Sequence, residues 1–173
     1  MKKLPVDVGL VGDLMAFHSS FGFEEYKYLD TETGEVIHFC DDMIPPDIFN
    51  VEKEELMEML KDKDEVTREI ALKAFEIAWE DESGRYKKIP ELSSRLVYKK
   101  MEEFVYNIED ERLRTKVLYT IKGKGAFARF RAFLDLHEEY RQAWLKFRDE
   151  FQREFAIEWL NSIGIDPIDK IQK

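Results

Sequence analysis

Apolar residues recur every three or four positions over most of this chain and alternate with polar ones in only a few short stretches. Helices should therefore dominate. From Pro5 to about Ser20, Val6, Leu10, Leu14 and Phe17 fall at helical spacing behind a proline suited to a first turn, which predicts a helix. Gly9 and Gly12 weaken it, and Gly22 ends it. Period-two segments follow at residues 25–30 and 35–39. Between them lies Thr31-Glu32-Thr33-Gly34, where Gly34 can take the positive φ that such a loop needs. Two strands alone are marginal in water, so the hairpin needs a further partner. Arg85 to Ile89, closed by Pro90, is the best third strand.

After the breaker Ile44-Pro45-Pro46-Asp47 the pattern turns helical from Val51 to about Glu82. One stripe is Leu56, Met59 and Leu60; a second is Ile70, Ala74, Ile77 and Ala78. The poor stretch at Asp62-Lys63-Asp64 favours two helices. Val97, Met101, Phe104, Val105 and Ile108 outline the next helix. Asp110 can cap another, with core face Leu113, Val117, Leu118 and Ile121. Gly123 sits where a helix C-terminal glycine belongs, and Gly125 can open a helix that buries Phe127, Phe130 and Leu134. The last helix carries Trp144, Phe147, Phe151, Phe155 and Trp159 and stops at Gly164, with Pro167 just beyond. The fold class is α+β, mainly α: a helical bundle with a small antiparallel hairpin, extendable to three strands, near the N-terminus. One domain is expected over residues 1–173, with helix and hairpin in 1–45 and the helical body in 51–165.

Composition adds bounds. The 173 residues are 44% hydrophobic with a net charge of −10, which describes a globular, acidic chain. No targeting signal or membrane-length apolar run is visible, so a cytoplasmic protein is expected. A single cysteine, Cys40, excludes an internal disulfide. The histidines 18, 38 and 137 lie far apart, and Glu35 and His38 share a strand on which residues three apart face opposite ways. No metal and no cofactor are therefore expected. Strand alternation puts Cys40 and His38 on one side, so a Cys-His pair is conceivable, although a free cysteine is usually only a small core residue.

Charge distribution points to one surface. From Arg112 to Leu134 there is no Asp or Glu, while seven basic residues occur: Arg112, Arg114, Lys116, Lys122, Lys124, Arg129 and Arg131. Gly125 opens a helix whose first amides lack intrahelical partners, and Lys122, Gly123 and Lys124 precede it. This is a phosphate cradle in one reading and a tight helix corner in the other. A Walker loop is excluded by the glycine spacing.

Several segments together resemble one family. They are Tyr28 to Val36, Arg85 to Pro90, Tyr98 with Met101 and Phe104, Gly123 to Phe127 with Arg129 and Phe130, Trp144 with Phe147 to Glu150, Ala156 to Leu160, and Gly164-Ile165. In that order they are similar to the bacterial uncharacterised protein family 0158. Ala128 stands where the likeness leads one to expect Arg or Lys. The resemblance implies no activity. It does imply that these segments form one unit, in which Arg85, Lys124, Arg129 and Arg148 line a shared cleft.

The leading expectation is thus a non-catalytic module that binds an anionic partner (phosphate, nucleic acid or acidic protein) through Arg85, Lys122, Gly123, Lys124, Gly125, Arg129, Arg131 and Arg148. The alternative is a homo-oligomeric assembly module that uses the aromatic last helix. The third is an enzyme of unidentified substrate. No membrane partner is expected.

Overall fold

A computed structural model of the chain describes residues 1–16 and 22–170. It opens on a strand, β1 (Lys2–Val6), and only then enters α1 (Val8–Ala16). The helix expected from Pro5 therefore begins three residues late, and its expected end at Ser20, with Phe17, falls outside the described residues. The strand exists because it has a distant partner. β5 (Ile165–Asp169) follows the last helix and pairs with β1 in parallel, Lys2 opposite Ile165 and Val6 opposite Asp169. Leu4 and Val6 point inward while Lys3 and Pro5 face out. Proline is tolerated in both strands because each has an unpaired edge.

The hairpin forms as expected: β2 (Glu25–Asp30) pairs antiparallel with β3 (Val36–Cys40), Tyr28 opposite Ile37. Gly34 has a φ of +75°. The third strand, β4 (Tyr86–Lys88), lies on the other side of β2, giving the order β3-β2-β4. Both faces of this sheet are covered. Tyr26, Tyr28, Ile37 and Phe39 face Ile48, Leu56 and Leu60 together with Ala71, Ala74 and Phe75. Leu29 and Val36 face the opposite way, onto Leu4, Val6, Val11 and Leu160.

The two helices favoured between residues 51 and 82 are α2 (Lys53–Met59) and α3 (Glu65–Phe75), with Asp64 capping the second through the Thr67 amide. A wider π turn over Glu76–Glu80 completes the segment. Then come α4 (Ser94–Tyr106), α5 (Glu111–Thr120), α6 (Ala126–Leu136) and the long α7 (Glu138–Ser162). Asp110 caps α5 by accepting from the Arg112 and Leu113 amides. α7 is the spine. Phe151, Ala156 and Leu160 are buried against α1 and β1, while Trp144 and Phe147 also pack on Met101, Phe104 and Phe130. The glycine that weakened α1 as a helix now has a reason: a Cβ on Gly12 would stand 2.8 Å from the Gln152 carbonyl oxygen, so α1 and α7 meet backbone to backbone. Among the described residues no helix is long and apolar enough to cross a membrane.

Gly34 does more than turn the hairpin. A Cβ there would lie 2.0 Å from the Pro5 carbonyl oxygen, so β1 passes directly over the loop. Gly34→Val combines a β-branched residue at positive φ with displacement of β1. The expected loss is about 2–4 kcal/mol in urea unfolding. A loss below about 1 kcal/mol would mean that β1 yields freely.

Candidate functional site: a basic corner and an aromatic cleft

The acid-free window folds into the α5–α6 corner. Gly123 and Gly125 both take positive φ there, and Gly125 caps α6. Arg129 reaches back across this corner. Its Nε donates to the Thr120 carbonyl at 2.5 Å, Nη1 to Lys124 at 2.9 Å and Nη2 to Lys122 at 2.7 Å. These are carbonyls at and beyond the end of α5, where intrahelical donors run out. Arg129 therefore builds the corner, and its guanidinium donors point at its own backbone. Arg114 acts similarly on the Ile108 carbonyl at 2.9 Å. The other five basic residues, Arg112, Lys116, Lys122, Lys124 and Arg131, are exposed. Among the described residues none of the seven forms an ion pair with a carboxylate. The window's charge is not neutralised by the chain's own surplus of acid.

Arg85 belongs elsewhere. Its guanidinium grips Asp30 with Nε on Oδ1 at 2.8 Å and Nη2 on Oδ2 at 2.5 Å, and Glu32 lies at 3.3 Å. The shared cleft expected for Arg85, Lys124, Arg129 and Arg148 is not what the geometry assembles. Arg148 is instead brought together with Arg131. Both line a cavity of about 710 Å³ where α1, α4, α6 and α7 meet. Trp144, Phe151 and Phe127 form its apolar walls.

Phe127 corrects the sequence reading, which placed it in the core. It is 42% exposed, with its ring edge-on to Tyr98 and the centroids 6.4 Å apart. Ala126, one residue earlier, takes the buried position instead. Tyr119 is also exposed, with Lys122 Nζ 6.0 Å from its ring centroid.

Two further residues escaped the sequence reading. Gln152 is buried, yet among the described residues its Oε1 has no hydrogen-bond donor. It lies between this cleft and a second, polar hollow of about 350 Å³ lined by Asp7, Asp13, Arg148 and Asp169. An orphaned buried amide carbonyl is costly and calls for a donor from water or from a bound molecule. Asp13 lines both hollows as well. Burial pushes its carboxyl above the usual range, against the pull of Arg148. Neither residue sits in a motif, so only the packing of α1 on α7 reveals them. Arg148 donates to the neighbouring Asp149 at 2.8 and 3.1 Å, which holds its guanidinium over the cleft.

A groove of similar size, about 730 Å³, lies between β3 and the helices α2 and α3. It carries Glu35, Glu69, Glu76 and Glu80 against Lys53 and Lys73, a balance that repels anions. The Cys-His pair fares poorly as a nucleophile: burial pushes the Cys40 thiol up, and Glu25, Asp42 and Asp41 push it further.

The chain belongs to the Uncharacterised protein family (UPF0158), whose model matches residues 10–171. No curated protein and no solved structure gives a significant match.

Proposed function

We propose that the protein is a binding module for single-stranded nucleic acid, or for the nucleotide unit of such a strand. The observation that carries the reading is the convergence of Arg131 and Arg148 on a cleft walled by Phe127 and Trp144. A nucleotide has the matching parts. Its phosphate suits two guanidinium groups, its base suits the exposed ring of Phe127 beside the half-buried Trp144, and its hydroxyl and amino donors suit the Gln152 carbonyl and the Asp13 carboxyl. Arg112, Lys116, Lys122 and Lys124 extend the positive surface outside the cleft, and Tyr119 offers a further ring on that face. This arrangement narrows the original list: Arg131 and Arg148 touch the ligand, Lys122 and Lys124 steer it, and Gly123, Gly125 and Arg129 shape the corner that carries them.

Short single-stranded oligonucleotides should bind and quench Trp144 fluorescence. Affinity should fall steeply between low and moderate salt, because phosphate contacts release counterions. Arg131→Glu with Arg148→Glu should abolish binding while leaving the helical circular dichroism intact, whereas Arg85→Gln should leave affinity unchanged once stability is accounted for. Absence of binding at low salt, or retention of it in the double variant, would sink the proposal. The assembly reading would then take its place, though not on α7, whose rings pack inward. It would rest on the exposed Trp79, with Val66, Leu72 and Met57 on the neighbouring helices.

A further inference from the structure

The face of the hairpin beyond Leu29 and Val36 carries Glu25, Lys27, His38 and Cys40. Register explains why. Glu25 is the direct cross-strand partner of Cys40, and His38 lies two residues earlier on β3, so all three project to one side. One ligand-type atom from each of Glu25, His38 and Cys40 lies within 4.8 Å of the other two. We propose that this trio is a binding site for a borderline divalent transition metal, zinc in chemical type.

The donor set argues for that class. An imidazole, a thiolate and a carboxylate together suit zinc, whereas magnesium and calcium prefer oxygen throughout. Bonds of 2.0–2.3 Å in a tetrahedron place ligand atoms about 3.3–3.8 Å apart, so the trio needs to close by only about 1 Å. His38 is reachable from solvent, since its side chain is 36% exposed. Glu25 is held in place. Its side chain is only 7% exposed, and Lys27 Nζ stands 2.8 Å from Oε2. That contact lacks hydrogen-bond geometry, so among the described residues buried Oε2 has no hydrogen bond, while Oε1 faces His38 Nε2 at 4.0 Å.

Lys27 is the cation in contact with Glu25 that opposes the metal, and its charge is already shared. It donates to the Leu14 carbonyl at 3.2 Å and approaches Glu91 at 3.7 Å as well as Glu25. Asp41 and Asp42 follow Cys40 directly in the chain and add negative charge at the same end of the hairpin. Three protein ligands leave a fourth position for water or another donor, the arrangement of an open rather than a purely structural zinc site. Sequence spacing hid the site because Glu25 is thirteen residues from His38 in the chain and joins it only through the strand pairing.

The test titrates the whole, metal-free chain with Co²⁺ and then Zn²⁺. Cys40 is the only cysteine, so a thiolate-to-cobalt charge-transfer band reports on that residue alone. The expected result is one equivalent of Co²⁺ with this band and a four-coordinate spectrum, bleached by Zn²⁺. Zinc should also slow alkylation of Cys40 by iodoacetamide. Cys40→Ser, nearly isosteric, should erase the band. His38→Gln, at a partly exposed position where folding is little at risk, should weaken Zn²⁺ binding at least about 100-fold, since even outer-shell changes cost 10–100-fold. A six-coordinate spectrum without the thiolate band, or zinc affinity unchanged in either variant, would overturn the proposal.

Discussion

Phe151→Ala is expected to lower the unfolding free energy by about 3–5 kcal/mol. Phe151 is 3% exposed on the inner face of α7 and belongs to the core built from β1, α1 and α7. Its ring meets Trp144, Phe147 and Phe155 at centroid distances of 6.1, 5.7 and 6.2 Å, so truncation removes one member of a chain of edge and tilted ring contacts. The gap cannot close by local collapse, because Gly12 already holds α1 against the α7 backbone one residue further on. In a chain of this size the loss corresponds to a melting temperature lower by about 6–20 °C. Phe147→Ala, at a half-buried position, should cost clearly less. Equal costs for the two, or no cost for Phe151→Ala, would show that α7 does not rest on this face.

The same helix illustrates what the sequence could and could not reveal. Its aromatic residues at steps of three and four named the core face directly, because helical periodicity is local. The hairpin was legible for a related reason: two alternating segments and a glycine lie within sixteen residues. β1 and β5 were not. Five residues with a proline at the fourth position in β1 and at the third in β5 carry little strand signal, and nearly the whole chain separates the two partners. Only the docking of α1 on α7, which brings residues 2 and 165 together, turns each into a strand. Parallel pairs between chain ends leave almost no local trace.

The candidate site divides along the same line. The acid-free window was visible as composition, and the exposure of most of its basic side chains agrees with that signal. Composition cannot tell which arginines serve the fold. Arg129 and Arg85 looked like the rest, yet one satisfies three carbonyls and the other binds a buried carboxylate. Arg131 and Arg148 are seventeen residues apart and share a cleft only because α6 and α7 fold back on each other. Phe127 was assigned inward from spacing alone, but a helix opened by Gly125 presents Ala126 to the core, and the rotation carries Phe127 to the cleft.

Asp30→Ala is expected to be as damaging as Phe151→Ala, at about 3–5 kcal/mol, by a different route. Asp30 ends β2, is 1% exposed, and holds two things at once. Its Oδ1 accepts from the Glu32 and Thr33 amides at 2.8 and 3.3 Å, fixing the hairpin loop, while Arg85 grips both oxygens and ties the start of β4 to that loop. The Thr31 amide reinforces the tie by donating to the Arg85 carbonyl at 3.0 Å. Removing the carboxylate leaves the amides without their acceptor and Arg85 without its main partner. The Arg85 guanidinium, aided by those amides, holds the Asp30 carboxyl well below the usual carboxylate range despite its burial. A depressed folded-state pKa contributes stability that is fully present above the unfolded value of about 3.9 and is lost as pH falls through the folded one. Asp30→Asn keeps the shape and removes the charge. The stability gap between the natural chain and this variant should therefore be constant above about pH 5 and shrink progressively below it. Urea unfolding at pH 7 and at successive values down to pH 3 measures this directly. A gap that does not change with pH would mean that the Asp30–Arg85 contact acts through shape and hydrogen bonding, with no contribution from its charge.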